Sequence, residues 1–496
     1  MDGAQPPIPT TDPHSATGRL PRPARHVDVL VVGAGPAGIA AALEAAKSGR
    51  SVMLVDEHPV SAALAGLDIP YLFGGRTTAA LANPSRMIEQ IAGTIPGLDA
   101  AYEAGIEIEL TTSVWGAWVA GPGLQTLPGP IAGLATETRS FLCGFDRAII
   151  ATGARDLVLS FAGSDQPGVI GAQALHALLT RYDAFAGRTL TILGSGRLAL
   201  ESALLALDKG LTVTALIEVR PTPQGPPDLV AALAARGIEI RCNHVPVLAE
   251  TTTDGVTALR IIPLAGGTVE RIACDTICLA VGLVPQIDLF DVLGAAITLD
   301  PDRGGHIPLL DATGRTTHPA IAATGDCTGI DDSGGLAYRM DWMRALLDTG
   351  GTEILACTCE SVTRNDIFAL RQPRYLGPEP EPMAARDYPS LLADGPPDHD
   401  QMKRLTRVSM GPCQARRCRE QVAMLLAIGA NTDLATVTRA GFRAPVRPLS
   451  LATLAAPPET ADTGWDVWFG IVAQWVPYDD IGTPREAAWI AGDMHL

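Results

Sequence analysis

The chain carries one short glycine pattern twice, each time between an apolar run and a helix-forming segment. The first copy lies in "VDVLVVGAGPAGIAAALEAAKSGRSVMLVDE", Val27 to Glu57, where Gly33, Gly35 and Gly38 are spaced G-x-G-x-x-G. The second lies in "LTILGSGRLALESALLALDKGLTVTALIEV", Leu190 to Val219, with Gly194, Gly196 and Ala199 in the same places. In such a strand–turn–helix unit the first glycine permits a tight turn and the second lets the backbone approach a pyrophosphate. The third lets helix and strand pack closely. The helix N-terminus turns unpaired N–H groups toward the phosphates, so Pro36 and Ala37 complete the first binding loop. An acid about 20 residues on can hold ribose hydroxyls. Asp56 lies 21 residues after Gly35, with Glu57 beside it. In the second copy Glu218 closes the following strand. A Glu there favours NAD over NADP, because it repels a 2′-phosphate, although Arg220 follows it. The alternative for this copy is a repeat kept for the fold with an empty site.

With 496 residues, the chain has room for two to four domains. Hydrophobic residues at 47% and charged ones at 18% describe a globular chain. A net charge of −17 argues against nucleic acid or an anionic membrane as partner, and no apolar run reaches the length of a transmembrane segment. Residues 1–25 are rich in Pro, Thr and Ala and lack an apolar signal region, so a disordered tail and a cytoplasmic location are expected. Nine cysteines are too sparse for a disulfide scaffold. In a reducing compartment they remain available to metal.

Three further segments follow the strand-and-turn pattern. They are "DRAIIATGAR" with Thr152 and Gly153, "DTICLAVGLVP", and "AIAATGDCTGI" with Gly325 and Asp326. Together with the glycine turns, they resemble the two-dinucleotide-domain flavoproteins over roughly residues 26–345. The resemblance implies an α/β fold with two Rossmann-like domains: a discontinuous FAD-binding domain (26–156 and 291–347) and an NAD-type domain (157–290). It implies FAD on the first unit, with Asp326 bonding the ribityl or phosphate region. One stretch departs from the pattern. Where relatives often read Gly-Gly-Gln beside the flavin ring, this chain has "HPVSAALAGLDIPYLFGGR", His58 to Arg76. That leaves an adenine nucleotide alone, such as ATP, as the alternative ligand. Cys274 and Cys278 bracket a strand and are expected as core thiols, on one face but too far apart to bond.

Four cysteines remain, as C-x-C in "CTCESVTRN" (Cys357, Cys359) and C-x4-C in "MGPCQARRC" (Cys413, Cys418). Four thiolates suit either zinc or an iron–sulfur cluster. Lys403, Arg404, Arg407, Arg416, Arg417 and Arg419 gather around the second pair. Basic neighbours stabilise a cluster that carries net negative charge, and neither pair has the C-x2-C form common in structural zinc sites. The stretch from Cys357 to Cys418 resembles the bacterioferritin-associated-ferredoxin-like [2Fe–2S] domain. More closely, it resembles that domain as fused in the alpha subunits of octopine and nopaline oxidases, hydrogen cyanide synthase and hydroxyproline or proline dehydrogenases. The segment "RAPVRPLSLATLA" resembles the end of those subunits.

This resemblance implies a small, mainly helical [2Fe–2S] domain at 352–430, with a Pro-rich insertion at 371–400 read as a surface loop. A C-terminal arm at 431–496 follows, its Trp465, Trp468, Trp475 and Trp489 expected to pack on the chain's own body or on a partner. It further implies an electron-transfer subunit of a heteromeric amine or amino-acid dehydrogenase or oxidase of the opine type. The partner would be a beta subunit with its own FAD, similar to D-amino-acid and sarcosine oxidases, and in some relatives FMN sits between the subunits. No residue set for substrate oxidation emerges in this chain. The rival readings are a stand-alone NAD(P)H-dependent flavin reductase and a non-redox subunit that binds an adenine nucleotide.

Overall fold

The structure is a computed structural model that describes residues 23, 25–59, 76–119, 129–331, 335–378, 381–455, 480 and 482–490. The expected N-terminal tail, most of the His58–Arg76 stretch and the side chains of all four C-terminal tryptophans lie outside the described residues.

The first unit is a mixed sheet. Its strands run, edge to edge, Glu107–Glu109, Val52–Val55, Arg25–Val32, Ser140–Ile150, Ile131–Ala135 and Ser113–Trp118. The first four are parallel, and the last two pair antiparallel. Ser140–Ile150 pairs with Arg25–Val32 on one side and is long enough to serve two further neighbours. Its first half pairs with Ile131–Ala135, and its last three residues pair parallel with Ile321–Ala323. Val29 to Val32 are all buried, as a central parallel strand covered on both faces requires. The second unit is a five-stranded parallel sheet in the order Ile240–Arg241, Thr212–Ile217, Thr189–Leu193, Thr276–Leu279, Val169–Gly171. A separate antiparallel meander, His244–Thr252, Gly255–Pro263 and Glu270–Ala273, is inserted in the chain between its strands.

The chain crosses between units through Ala154–Asp156 and Leu283–Pro285, which pair antiparallel. The first unit resumes earlier than the expected residue 291. Ile287, Leu289 and Phe290 pack in its core with Phe141, Phe145 and Ile321, because the turn after the crossover delivers these apolar side chains straight to that sheet. The helix Leu336–Gly350 then leaves the first unit. Its Tyr338, Trp342, Met343 and Leu346 are buried in one continuous core with the second unit's Leu193 and Ile217 and with Cys357, Val362 and Leu425 of the cysteine region. The cysteine region is therefore seated on the second unit through this helix.

Two details differ from expectation. The insertion 371–400 is more than a surface loop: it holds the helix Tyr388–Leu392, capped by Asp387. Tyr388 and Leu391 are buried, and the Tyr388 hydroxyl donates to the Leu426 carbonyl at 2.9 Å. Prolines mark a loop locally, but one aromatic and one leucine at helical spacing are enough to anchor its second half. Cys274 and Cys278 are both buried, yet they face different cores. Cys274 precedes the strand and joins the core shared with the cysteine region, whereas Cys278 packs under the second unit's glycine-turn helix.

Candidate functional site

The first glycine turn is built as its sequence requires. Gly33 has φ +112°, and a Cβ there would collide with the Ala151 carbonyl. A Cβ on Gly38 would collide with the Gly33 carbonyl. Gly35 differs: φ is −71°, and a Cβ would meet nothing within 4 Å. The space over Gly35 is the mouth of a cavity of about 450 Å³. Gly33, Gly35, Pro36, Ala37, Gly38, Asp56, Glu57, Thr152, Gly153, Gly325 and Asp326, all expected from sequence, line it. A cradle open over the second glycine, at a helix N-terminus with Pro36 at its first position, fits the pyrophosphate of an ADP moiety.

The two acids at the end of the second strand have separate tasks. Asp56 accepts from the Ala34 N–H at 2.6 Å through Oδ2, and from the N–H and Nδ1 of His58 at 2.8 and 2.9 Å through Oδ1. Burial pushes its carboxyl upward, but these bonds outweigh that and hold it below the usual range. It stands at the cavity wall as a braced carboxylate. Glu57 turns to two arginines instead: Arg447 Nε at 2.7 Å and Arg416 at 3.7 Å. Burial works against its ionised form, yet Arg447 and Arg416 bring it down to about 2.

Sequence reasoning did not assign Arg416, Arg447, Arg155 or Asp156 to this cavity, and all four line it. Arg447 also donates to Asp288 at 2.9 Å and to Gln286 at 2.8 Å, tying the "RAPVRPL" segment to the crossover. Arg155 makes a two-bond pair with Glu420 of the helix Arg419–Gly429, at 2.9 and 3.2 Å. Asp156 accepts from the N–H groups of Gln173 and Ala174, and burial still raises its carboxyl to about 7. The "ATGARD" and "RAPVRPL" strings were visible in sequence. What Arg155 and Arg447 face depends on segments more than a hundred residues away.

The second glycine turn repeats the backbone of the first. Gly194 has φ +112°, Gly196 has φ −71° and ψ 176°, and the helix Arg197–Asp208 follows. Its surroundings are different. Glu218, expected to hold a ribose, is fully buried and accepts from Ser195 Oγ, from the Tyr338 hydroxyl at 2.7 Å and from the Arg220 N–H at 2.8 Å. Tyr338 comes from the long helix after the first unit, and its oxygen accepts from the Ser195 N–H at 3.1 Å. The 220–226 segment folds back over the turn: Gly225 N–H donates to the Ser195 carbonyl at 2.8 Å and Gln224 N–H to Ser195 Oγ at 3.0 Å. In this arrangement Glu218 is withdrawn from any ribose. A hydroxyl from another element takes the place a ligand hydroxyl would occupy.

The four expected cysteines come together as two pairs. The Cys418 thiol acts most strongly on Cys357, and the Cys413 thiol on Cys359. Cys357, Cys413 and Cys418 are buried and Cys359 is half-buried. Each loop of the chain contributes one thiol to each pair. A Cβ on Gly411 would collide with the Cys359 Cβ, so the loop carrying the second pair can approach only because that position is glycine. Among the described residues no group of three or more His, Cys, Asp or Glu side chains is placed to hold a single ion. Arg416 lies between Cys413 and Cys418 and also lines the nucleotide cavity, so the two candidate sites share a wall.

The profile of the pyridine nucleotide-disulphide oxidoreductase family matches residues 27–345. The chain belongs to that family, whose fold implies FAD and an oxidoreductase. A second profile, the sarcosine oxidase A3 domain, matches residues 383–458. Among individual relatives, the A subunit of opine oxidase from Agrobacterium tumefaciens (strain Ach5) is 27% identical over 481 residues, covering 88% of this chain and 92% of its own length. The alpha subunit of sarcosine oxidase from Corynebacterium sp. (strain P-1) is 26% identical over 94% of this chain, which spans 49% of that longer protein. The crystal structure of L-proline dehydrogenase from P. horikoshii shares the fold, with TM-score 0.57, 19% identity, and coverage of 87% of this chain and 79% of that one. No helix among the described residues is long and apolar enough to cross a membrane.

Proposed function

We propose that this chain is the electron-transfer subunit of a heteromeric oxidase or dehydrogenase acting on secondary amines of the amino-acid or opine type. A separate FAD-bearing beta subunit oxidises the substrate. The observation that carries the reading is the shared wall: Arg416 belongs both to the Cys413–Cys418 loop and to the lining of the nucleotide cavity. A nucleotide and a metal cluster so placed are neighbours within one chain. The resemblance to the opine oxidase and sarcosine oxidase relatives supports the substrate class and a heteromeric assembly, in which FMN at the subunit interface is part of the proposal.

FAD in the first unit and a [2Fe–2S] cluster on Cys357, Cys359, Cys413 and Cys418 would supply the two-electron and one-electron redox chemistry. The chain's own residues do the holding. Gly35 and the following helix N-terminus receive the pyrophosphate, with Asp56 braced at the ribose end. Asp326 stands at the ribityl end, and Arg416 and Arg417 offset the negative charge of four thiolates. The second unit is assigned a scaffold role, because its acid and its central turn N–H already serve Tyr338.

Metal analysis of the purified chain tests the reading. About two iron and two acid-labile sulfides per chain are expected, and Cys413→Ser should lose them while the flavin remains. One zinc with no sulfide would end the cluster assignment. Rapid bleaching of the flavin by NADH would move the reading to a flavin reductase that uses the second unit.

A further inference from the structure

The four candidate metal-binding cysteines are not equally sheltered. Cys357, Cys413 and Cys418 are buried, whereas Cys359 is half-buried. Exposed side chains are tied to the loop that carries it. Gly411 sits against the Cys359 Cβ, and its neighbours Met410 and Pro412 are exposed. Glu360, next along the chain from Cys359, accepts from the Tyr375 hydroxyl and from Arg407 Nε at 2.9 Å. Arg407 Nε also donates to the Tyr375 oxygen at 3.0 Å, and the Arg407 carbonyl accepts from the Met410 N–H at 3.0 Å. One series of hydrogen bonds therefore fastens Tyr375, Arg407 and Met410 to the residue after Cys359.

The apolar part of this surface is large for its position. Tyr375 is 61% exposed, Leu376 beside it 47% and Met410 37%. Tyrosine and methionine are enriched where proteins meet. Tyr375 is held by its hydroxyl, so its ring loses little freedom when a partner covers it.

The charge here runs against that of the whole chain, which is −17. Arg374, beside Tyr375, is exposed, and the Arg407 side chain is 35% exposed. Arg417 is half-buried and close enough to Cys359 to act on its thiol. Glu360 is the acid of the group; it is buried and shared by Arg407 and Tyr375. Arg404 is paired with Asp400 and adds no net charge. An acidic protein is repelled by the chain at large and attracted here, so the field both steers and orients it.

We propose that Tyr375, Leu376, Met410, Arg374 and Arg407 form the docking surface for a small acidic one-electron carrier protein. This rests on the cluster reading above and extends it to the acceptor. Electrons leave a two-iron cluster singly. The oxidised carrier takes one electron per docking, and two dockings follow each two-electron oxidation of substrate. Encounters of this transient kind bury less than about 1,200 Å², in keeping with a patch of three apolar side chains edged by arginines.

Titration calorimetry of the full chain with an acidic blue-copper protein tests this, with a basic c-type cytochrome as the carrier of opposite charge. Saturable binding of the acidic carrier is expected at low salt, weakening as salt rises. The double variant Arg374→Glu, Leu376→Asp should weaken it about tenfold or more, and it should not weaken binding of the basic cytochrome. Both side chains are exposed, so iron and sulfide content should stay the same. Should the variant misfold, hydroxyl-radical footprinting of the unaltered chain gives a second measurement: the acidic carrier should protect Tyr375 and Met410 from oxidation. No saturable binding of the acidic carrier, equal binding by the double variant, or no protection of Tyr375 and Met410 overturns the surface. An iron-loaded chain that fails to bind ends the surface alone. A chain without iron and sulfide that still binds the carrier at these residues ends the cluster reading and keeps the surface.

Discussion

The two glycine turns have nearly the same backbone and opposite surroundings. Gly35 and Gly196 share φ −71°, and their ψ values are 173° and 176°. In both turns the second glycine has no atom within 4 Å of where a Cβ would stand. At the first, the middle N–H of the turn (Ala34) bonds the strand-end acid directly, and the cavity opens beyond it. At the second, Ser195 replaces Ala34. Its hydroxyl reaches Glu218, its N–H reaches Tyr338, and its carbonyl receives Gly225. The fingerprint specifies a turn that can cradle a phosphate. It does not specify that the strand-end acid is left for a ligand.

The sharpest way to break this comparison is a pair of substitutions. Gly35→Val puts a branched side chain into the cavity mouth without a backbone clash, so the chain should fold but lose essentially all bound flavin. Gly196→Val is equally free of clash, and it should leave flavin content unchanged. Flavin absorbance per chain reads both, and equal loss in the two variants would erase the proposed asymmetry.

A smaller effect is expected at the plug itself. Tyr338→Phe removes one bond to a buried carboxylate and leaves the Ser195 N–H unpaired. A loss of roughly 1–3 kcal/mol of stability should follow, read as a lowered midpoint in denaturant. Flavin content should not change. A gain of NADH response in Tyr338→Ala, with wild type silent, would sharpen the comparison further by showing that the plug alone closes the second turn.

The smallest effect is the acid response of the first unit. Glu57 titrates near 2 when folded, below its ordinary value of 4.5. Its pairing with Arg447 and Arg416 therefore contributes stability that is complete above about 4.5 and fades as pH falls toward 2. Glu57→Gln should flatten that part of the Tm-against-pH curve. An unchanged slope in the variant would assign the acid sensitivity to other carboxylates.

Much of the first site was legible because its requirements are local. A positive φ at Gly33, the close helix approach at Gly38 and an acid at a strand end all lie within one βαβ stretch. The cysteine spacing was legible for the same reason. Arg155 and Arg447 were not assigned. Their partners, Glu420 and Glu57, lie 265 and 390 residues away in sequence. The insertion was misread because Pro and Gly report only local backbone preference, whereas Tyr388 finds its partner carbonyl at Leu426, 38 residues on.

By itself, then, the sequence determined two phosphate-type turns, the strand before and after each, and a four-thiol set, since each depends on neighbours along the chain. Tertiary structure alone decided two things: that the strand-end acid stands at a cavity wall at the first turn and is taken by Tyr338 at the second, and that Cys357 lies with Cys418 and Cys359 with Cys413. The physical reason is the same in each case. Whether a buried donor or acceptor is left for a ligand depends on which distant group reaches it first. Tyr338 reaches Ser195 across 143 residues, a contact that no local pattern encodes.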